Sequence, residues 1–194
     1  MQLTDHTIQV LRTADSDLHR LQRGIEKESL RVTPDGSLSL RPHPQTLGSA
    51  LTHSAITTDF SEAQLELITG VHDSPEGCLQ ELSEIHHFVH NHLEGELLWP
   101  SSMPCILGSE SKSIPIGQYG RSNIGLTKTV YRRGLGHRYG RMMQTISGIH
   151  YNFSIPDMLW QHLGITEQQQ RTEAYFSLIR NFPVSYTHLR AHET

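Results

Sequence analysis

Three stretches of the chain alternate between apolar and polar positions, the period of a strand with one buried face. Arg23 to Val32 alternates, Pro34-Asp35-Gly36 supplies turn chemistry, and Ser37 to Leu40 alternates again, which predicts a β-hairpin. Ile56 to Thr69 predicts a second strand, because Gln64, Glu66 and Ile68 alternate with Leu65 and Leu67. From Thr145 to Ser154, Ile149, Tyr151 and Phe153 oppose Gly148, His150, Asn152 and Ser154, and a third strand follows.

The remaining periodicity is helical. Ile8, Leu11, Leu18 and Leu21 predict a surface helix over about residues 7–21. Ser74 as N-cap and Pro75 at the first helical position open a helix whose stripe is Leu79, Leu82, Ile85, Val89 and Leu93, ending near Leu97. Further helices are predicted from about Lys128 to Tyr139 and from Glu167 to Arg180, after Pro156 ends the third strand. Residues 41–49 and 100–123, rich in Pro, Gly and Ser, should be loops.

Composition narrows the class. At 194 residues with 36% hydrophobic and 19% charged residues, the chain has the make-up of an ordinary soluble domain. No run approaches the ~20 apolar residues of a bilayer helix, and the polar start lacks a secretory layout, so a cytoplasmic protein is expected. Cys78 and Cys105 are too few for a disulfide scaffold and too far apart for a zinc knuckle. Both are expected to be packing residues.

Charge is segregated. Between Pro42 and Ser111 there are ten carboxylates and no Lys or Arg, whereas Lys112 to Arg141 carries seven cations and no carboxylate. Two blocks that neutralise one another would explain this, and so would a site needing both signs, such as one for a nucleotide with its divalent metal. An acidic chain with one short basic block is a poor nucleic-acid binder.

Candidate chemistry lies on the strands. Glu26 and Glu28, two apart, point to one face and can bridge neighbouring divalent ions, although a solvated strand face would look the same. Glu66, between Leu65 and Leu67, is costly without a compensating partner, and a cation is a natural one. His150 and Asn152 share one face of the third strand and offer an imidazole nitrogen and an amide, yet a lone histidine there can be purely structural. Neighbouring strands of one sheet would merge these groups into one oxygen-rich site suited to magnesium and phosphate, with Lys128, Arg132 and Arg133 beside Tyr131 as the basic complement.

Five consecutive blocks resemble the bacterial glutamate-cysteine ligase family. They are residues 23–32, 47–53, 56–69, 99–105 and 143–154, including Ile25-Glu26-Lys27-Glu28-Ser29, Asp59-Phe60-Ser61-Glu62-Ala63-Gln64-Leu65-Glu66 and Gly148-Ile149-His150-Tyr151-Asn152. The resemblance implies an α+β, glutamine synthetase-like carboxylate-amine ligase fold, an antiparallel sheet forming a funnel with outer helices and incomplete in this chain. It implies joining of the γ-carboxylate of L-glutamate to L-cysteine with ATP and Mg2+, through a γ-glutamyl phosphate. Carried over by position, Glu26, Glu28, Asp59, Glu66 and His150 match the family's metal and nucleotide-phosphate region, Glu26, Glu28 and Glu66 being the catalytic carboxylates. The candidate nucleotide-binding residues are Glu26, Glu28, Lys128 and Arg132. Gln144, Ile146 and Asn152 match the glutamate side, and Tyr131 with Arg132 the acceptor side.

The family chain is considerably longer, so residues 1–182 are expected to form an N-terminal part of its catalytic domain. Residues 183–194 are expected to lie outside the family pattern as a foreign tail, with the native frame continuing past Phe182 and the full-length protein a monomer. Two rivals remain open. One is a related ligase using another amine, and the other is an inactive fragment that binds transition metal through His86, His87, His90 and His92 on the second helix.

Overall fold

The computed structural model describes residues 5–190 and divides them into two compact units. Arg23 to Phe153 forms one, and the segments up to Gln22 and from Ser154 onward form the other.

The first unit is organised around β1 (Gln22–Val32), the long strand of a five-stranded sheet. Ile25, Lys27 and Ser29 turn one backbone edge to β3 (Gln64–Ile68), in antiparallel register with Glu28 opposite Glu66. β2 (Ile56–Thr58) pairs antiparallel with the far edge of β3. The other edge of β1 receives β4 (Leu97–Leu98), opposite Val32 and Arg31, and β5 (Ile149–Ser154), next to which Gly148 accepts from the Glu28 amide at 3.0 Å.

One face of this sheet is apolar for a reason visible in the alternation. Ile56, Leu65 and Leu67 are fully buried against Val89, Leu93, Leu82 and Ile85 of α3 (Pro75–His92) and against Leu47. Burial of each such side chain is worth ~1.5–3 kcal/mol. On the opposite face a second cluster of Leu30, Val32, Leu38, Ala63, Cys105 and Ile114 covers only the far end of β1, leaving Glu26 and Glu28 beyond it. Ser74 caps α3 through the Gly77 amide as predicted.

Several elements differ from the pattern-based expectation. The region 56–69 is a hairpin rather than one strand, because Ser61 closes a turn through the Ala63 and Gln64 amides. The arm at Ser37–Leu40 shrinks to isolated bridges from Leu38 to Val32 and from Ser37 to Ile106. Its chain leaves β1 because the carbonyls of Arg41 and Pro42 turn inward to the Arg31 guanidinium, at 2.8 and 3.1 Å. α3 stops at His92, short of Leu97, and Leu79 is exposed while Cys78 takes the buried position. α4 (Asn123–Tyr139) starts five residues early because Ser122 caps it through the Gly125 amide. β5 starts at Ile149 because Met143–Thr145 is a 3-10 turn, and its apolar side chains Ile149, Tyr151 and Phe153 are exposed.

In the second unit the predicted first helix breaks into α1 (Asp5–Thr13) and α2 (Asp15–Leu18). Asp15, Ser16 and Asp17 favour a helix start over a helix interior, and buried Ala14 sits at the junction. α5 (Asp157–His162), missed by periodicity, buries Leu159 and Trp160, and Trp160 packs edge-on to Tyr175 of α6 (Gln168–Arg190). α6 runs past the predicted Arg180 and carries Pro183 inside it. None of the described helices is long and apolar enough to cross a membrane.

The most consequential buried contact in the first unit is an ion pair. Arg31, wholly buried, donates to Glu96 at 2.5 Å and to the carbonyl of Glu62 at 3.0 Å, while Ser39 donates to the other Glu96 oxygen. Removing one partner of such a pair strands a charge in the interior at a cost of ~3–5 kcal/mol. Glu96→Gln is therefore expected to lower unfolding free energy by about that amount in urea titrations, and a change under ~1 kcal/mol would show the pair to be dispensable.

Candidate functional site

Strand geometry converges the acidic groups. Glu26 and Glu28 lie two apart on β1, and Glu66 stands directly opposite Glu28 on β3, so all three side chains leave the sheet on the face away from α3. β5 completes the set from the other edge of β1. His150 Nδ1 lies 3.3 Å from a Glu26 oxygen, and the Asn152 amide donates to the other at 3.0 Å. Glu26, Glu66 and His150 each offer one ligand atom within 4.8 Å of the others, and this is the one three-ligand group among the described residues.

The carboxylates differ in how they are held. Glu28 accepts from the Gly148 amide at 2.9 Å and from the buried Gln64 amide at 3.3 Å. Burial nevertheless pushes its pKa up, with Asp59 and Glu26 adding like charge. The Glu66 carboxylate accepts no hydrogen bond among the described residues. Burial first, then the charges of Asp59, Glu26 and Glu28, raise its pKa to about 7 from an ordinary 4.5. A group of like charges with one member this poorly compensated is what a divalent cation relieves. The donor set, carboxylate oxygens with one imidazole, fits a hard ion such as magnesium.

The basic complement is placed less openly than its sequence suggests. Arg132 of α4 donates through Nε to the Asp59 carbonyl, and its guanidinium lies 4.6 Å from the ring centre of Tyr119. Lys128 Nζ lies over the same ring at 5.3 Å. Tyr131 and Arg133 are exposed on α4, Gln144 is half-buried in the 3-10 turn, and Ile146 is partly exposed with its carbonyl near the Gln64 amide. The structure thus gathers Glu26, Glu28, Glu66, His150 and Asn152, with Asp59 in electrostatic reach of Glu28 and Glu66. It describes no contact that brings Tyr131 or Gln144 into that group. Pattern reading missed Gln64, Gly148 and Tyr119 as supports. Gln64 was findable, since it shares a strand face with Glu66.

The sequence pattern of the glutamate-cysteine ligase family matches residues 8–189. The chain belongs to the glutamate-cysteine ligase family. It is 50% identical to a glutamate-cysteine ligase of Alcanivorax borkumensis over 94% of its own length and 36% of the relative's. It is 52% identical to one of Bordetella petrii over 88% of this chain and 34% of that one. It therefore spans about a third of the length of these relatives. Among solved structures it resembles the glutamate-cysteine ligase of Francisella tularensis in complex with AMP, with a TM-score of 0.71 and 44% identity over 74% of this chain and 29% of that one. It also resembles a bifunctional glutathione synthetase from Pasteurella multocida, with a TM-score of 0.73 and 35% identity over 84% and 21%. The fold of this ligase-family segment is accordingly the expected α+β one with an antiparallel sheet.

The other candidates of this ligase-family chain are the His-rich helix and the two cysteines. His86 is half-buried, and it lines a shallow groove of about 460 Å³ with exposed His87 and His90. No three-ligand group forms there among the described residues. Cys78 is buried against Thr69, and Cys105 sits in the apolar cluster, where burial raises its thiol pKa.

Glu66 gives a pH signature with a definite sign. Its folded pKa of about 7 exceeds its ordinary 4.5, so between these values the folded state holds a proton that the unfolded state has released. The metal-free chain is expected to be most stable below pH 4.5 as far as Glu66 is concerned and to lose that contribution as pH rises to about 7. Half-exposure keeps the amplitude small. Urea melts at both ends of the window, with and without magnesium, check this, and magnesium should restore stability only at the upper end.

Proposed function

We propose that this chain supplies the cation- and phosphate-binding face of an ATP-dependent glutamate-cysteine ligase. The observation that carries the reading is the Glu26, Glu66 and His150 cluster, whose ligand atoms lie within 4.8 Å of one another on the open face of the sheet. In the proposed reaction the γ-carboxylate of L-glutamate takes the terminal phosphoryl group of ATP and releases ADP. The amine of L-cysteine then attacks the acyl carbon, phosphate leaves, and γ-glutamylcysteine forms. Activation is needed because a free carboxylate is a poor acylating agent.

Magnesium bound at the cluster would neutralise phosphate charge as the phosphoryl group moves. The residues of the chain supply placement. Glu26, Glu66 and His150 would hold the ion, with Glu28 and Asp59 adding negative charge around it. Asn152 fixes the Glu26 carboxylate, and Gln64 with Gly148 fixes that of Glu28. Lys128 and Arg132 stand on the cationic side for phosphate oxygens, Gln144, Ile146 and Asn152 are proposed for glutamate, and Tyr131 with Arg132 for cysteine. A cytoplasmic setting suits a reaction that consumes ATP and a free thiol.

Glu66→Gln tests the reading. It keeps the volume of the side chain and removes the charge, so affinity for manganese, used as a spectroscopic substitute for magnesium, should fall by at least about tenfold, or ~1.4 kcal/mol. The melting temperature of the metal-free variant should hold or rise, because a poorly compensated charge has gone. Unchanged manganese affinity would remove Glu66 from the site. His150→Ala should also weaken manganese binding, and a lower melting temperature with unchanged affinity would make His150 structural instead.

A further inference from the structure

Tyr119 closes the long loop before α4, and almost all of it is buried. Its hydroxyl lies 2.6 Å from the carbonyl oxygens of both Thr58 and Asp59 and donates its one proton between them. Arg132 donates to the same Asp59 carbonyl, so a phenol and a guanidinium converge on one backbone oxygen. The ring carries the Arg132 guanidinium at 4.6 Å and Lys128 Nζ at 5.3 Å, within the range of cation–π attraction. Close backbone approach seats the residue. A Cβ at Gly125, in the first turn of α4, would stand 2.4 Å from the Tyr119 carbonyl oxygen, and one at Gly117 would stand 3.0 Å from the hydroxyl. Only glycine fits at Gly125. Thr129 of α4 also donates to the Gly117 carbonyl at 3.1 Å.

Tyr119 therefore touches both halves of the charge pattern. On one side is the turn that carries Asp59, whose carboxylate acts electrostatically on Glu28 and Glu66. On the other are the two cations of α4. Burial raises the phenol pKa, so the hydroxyl stays protonated and remains a donor at neutral pH. We propose that Tyr119 is a positioning residue of the site, locking the Asp59 backbone to Lys128 and Arg132 so that the cation-binding and phosphate-binding sides keep one spacing. This rests on the metal reading of the carboxylate cluster given above.

The test uses the 194-residue chain, with Tyr119→Phe, Asp59→Asn and the double variant. Manganese affinity, melting temperature and amide exchange over residues 59–63 are measured on each. Tyr119→Phe keeps the ring and removes the hydroxyl, and it should weaken manganese binding by about fivefold, the range of one hydrogen bond. Exchange over residues 59–63 should quicken. If Tyr119 acts through Asp59, the double variant should bind no more weakly than Asp59→Asn alone, since effects on a shared path do not add. A merely structural tyrosine would lower the melting temperature in both backgrounds and leave manganese affinity unmoved or additive, which overturns the proposal. Failure of the wild-type chain to bind manganese would overturn the metal reading, and the positioning role with it. Should Tyr119→Phe not fold, Arg132→Gln decides. Loss of a nearby cation should by itself strengthen manganese binding, whereas loss of the shared anchor should weaken it, and strengthening would overturn the proposal.

Discussion

Packing of α3 on one face of the sheet sets the rest of the first unit. Ile56, Leu65 and Leu67 can meet Val89 and Leu93 only if every second residue of β2 and β3 turns toward the helix. The residues between them must then face the other way, and Glu66 is one of these. Through the register of β1 and β3, Glu28 lands opposite Glu66, and Glu26 follows two residues along. The crowding of carboxylates is thus a consequence of apolar packing on the reverse side. A one-residue slip would bury them under α3.

The acidic stretch of the sequence is sorted by the fold into charges that are answered within the protein and charges that are not. Glu96 is met by Arg31 and Ser39 in the interior. Glu62 accepts from the amides of His43 and Gln118 at 2.9 and 2.6 Å. Glu81 is met by the Gly70 amide and His72, and this holds its pKa low. On the open face of the sheet the Glu66 carboxylate has no such partner, and Glu28 keeps a raised pKa although Gly148 and Gln64 donate to it. The contrast separates carboxylates such as Glu81, held low by partners inside the protein, from those proposed to meet a cation. It also shows that the basic block does not simply neutralise the acidic one, since Arg132 meets the acidic hairpin at a backbone oxygen and stacks on Tyr119.

Family membership and the physical reading of the carboxylate cluster rest on different things. The family rests on a sequence match over residues 8–189 and on relatives at about 50% identity. The site rests on interatomic distances on one sheet face. The chain covers about a third of those relatives, and the apolar side chains of β5 are exposed in it.

Alternation along the chain determined much of this by itself. Apolar side chains every second residue fixed which way Glu26, Glu28, Glu66 and His150 point, because backbone geometry leaves a strand residue only two directions. Ser74-Pro75 and its apolar stripe determined α3 for an equally local reason, a cap and a period. What local pattern could not determine is anything settled by a partner distant in sequence. The arm after Gly36 leaves β1 because Arg31 draws in the carbonyls of Arg41 and Pro42, and α3 ends early where the chain turns to bring Glu96 to Arg31. Only tertiary structure set Gln64 and Gly148 around Glu28, or turned Lys128 and Arg132 onto Tyr119, because each contact joins segments whose separation along the chain carries no periodic signal.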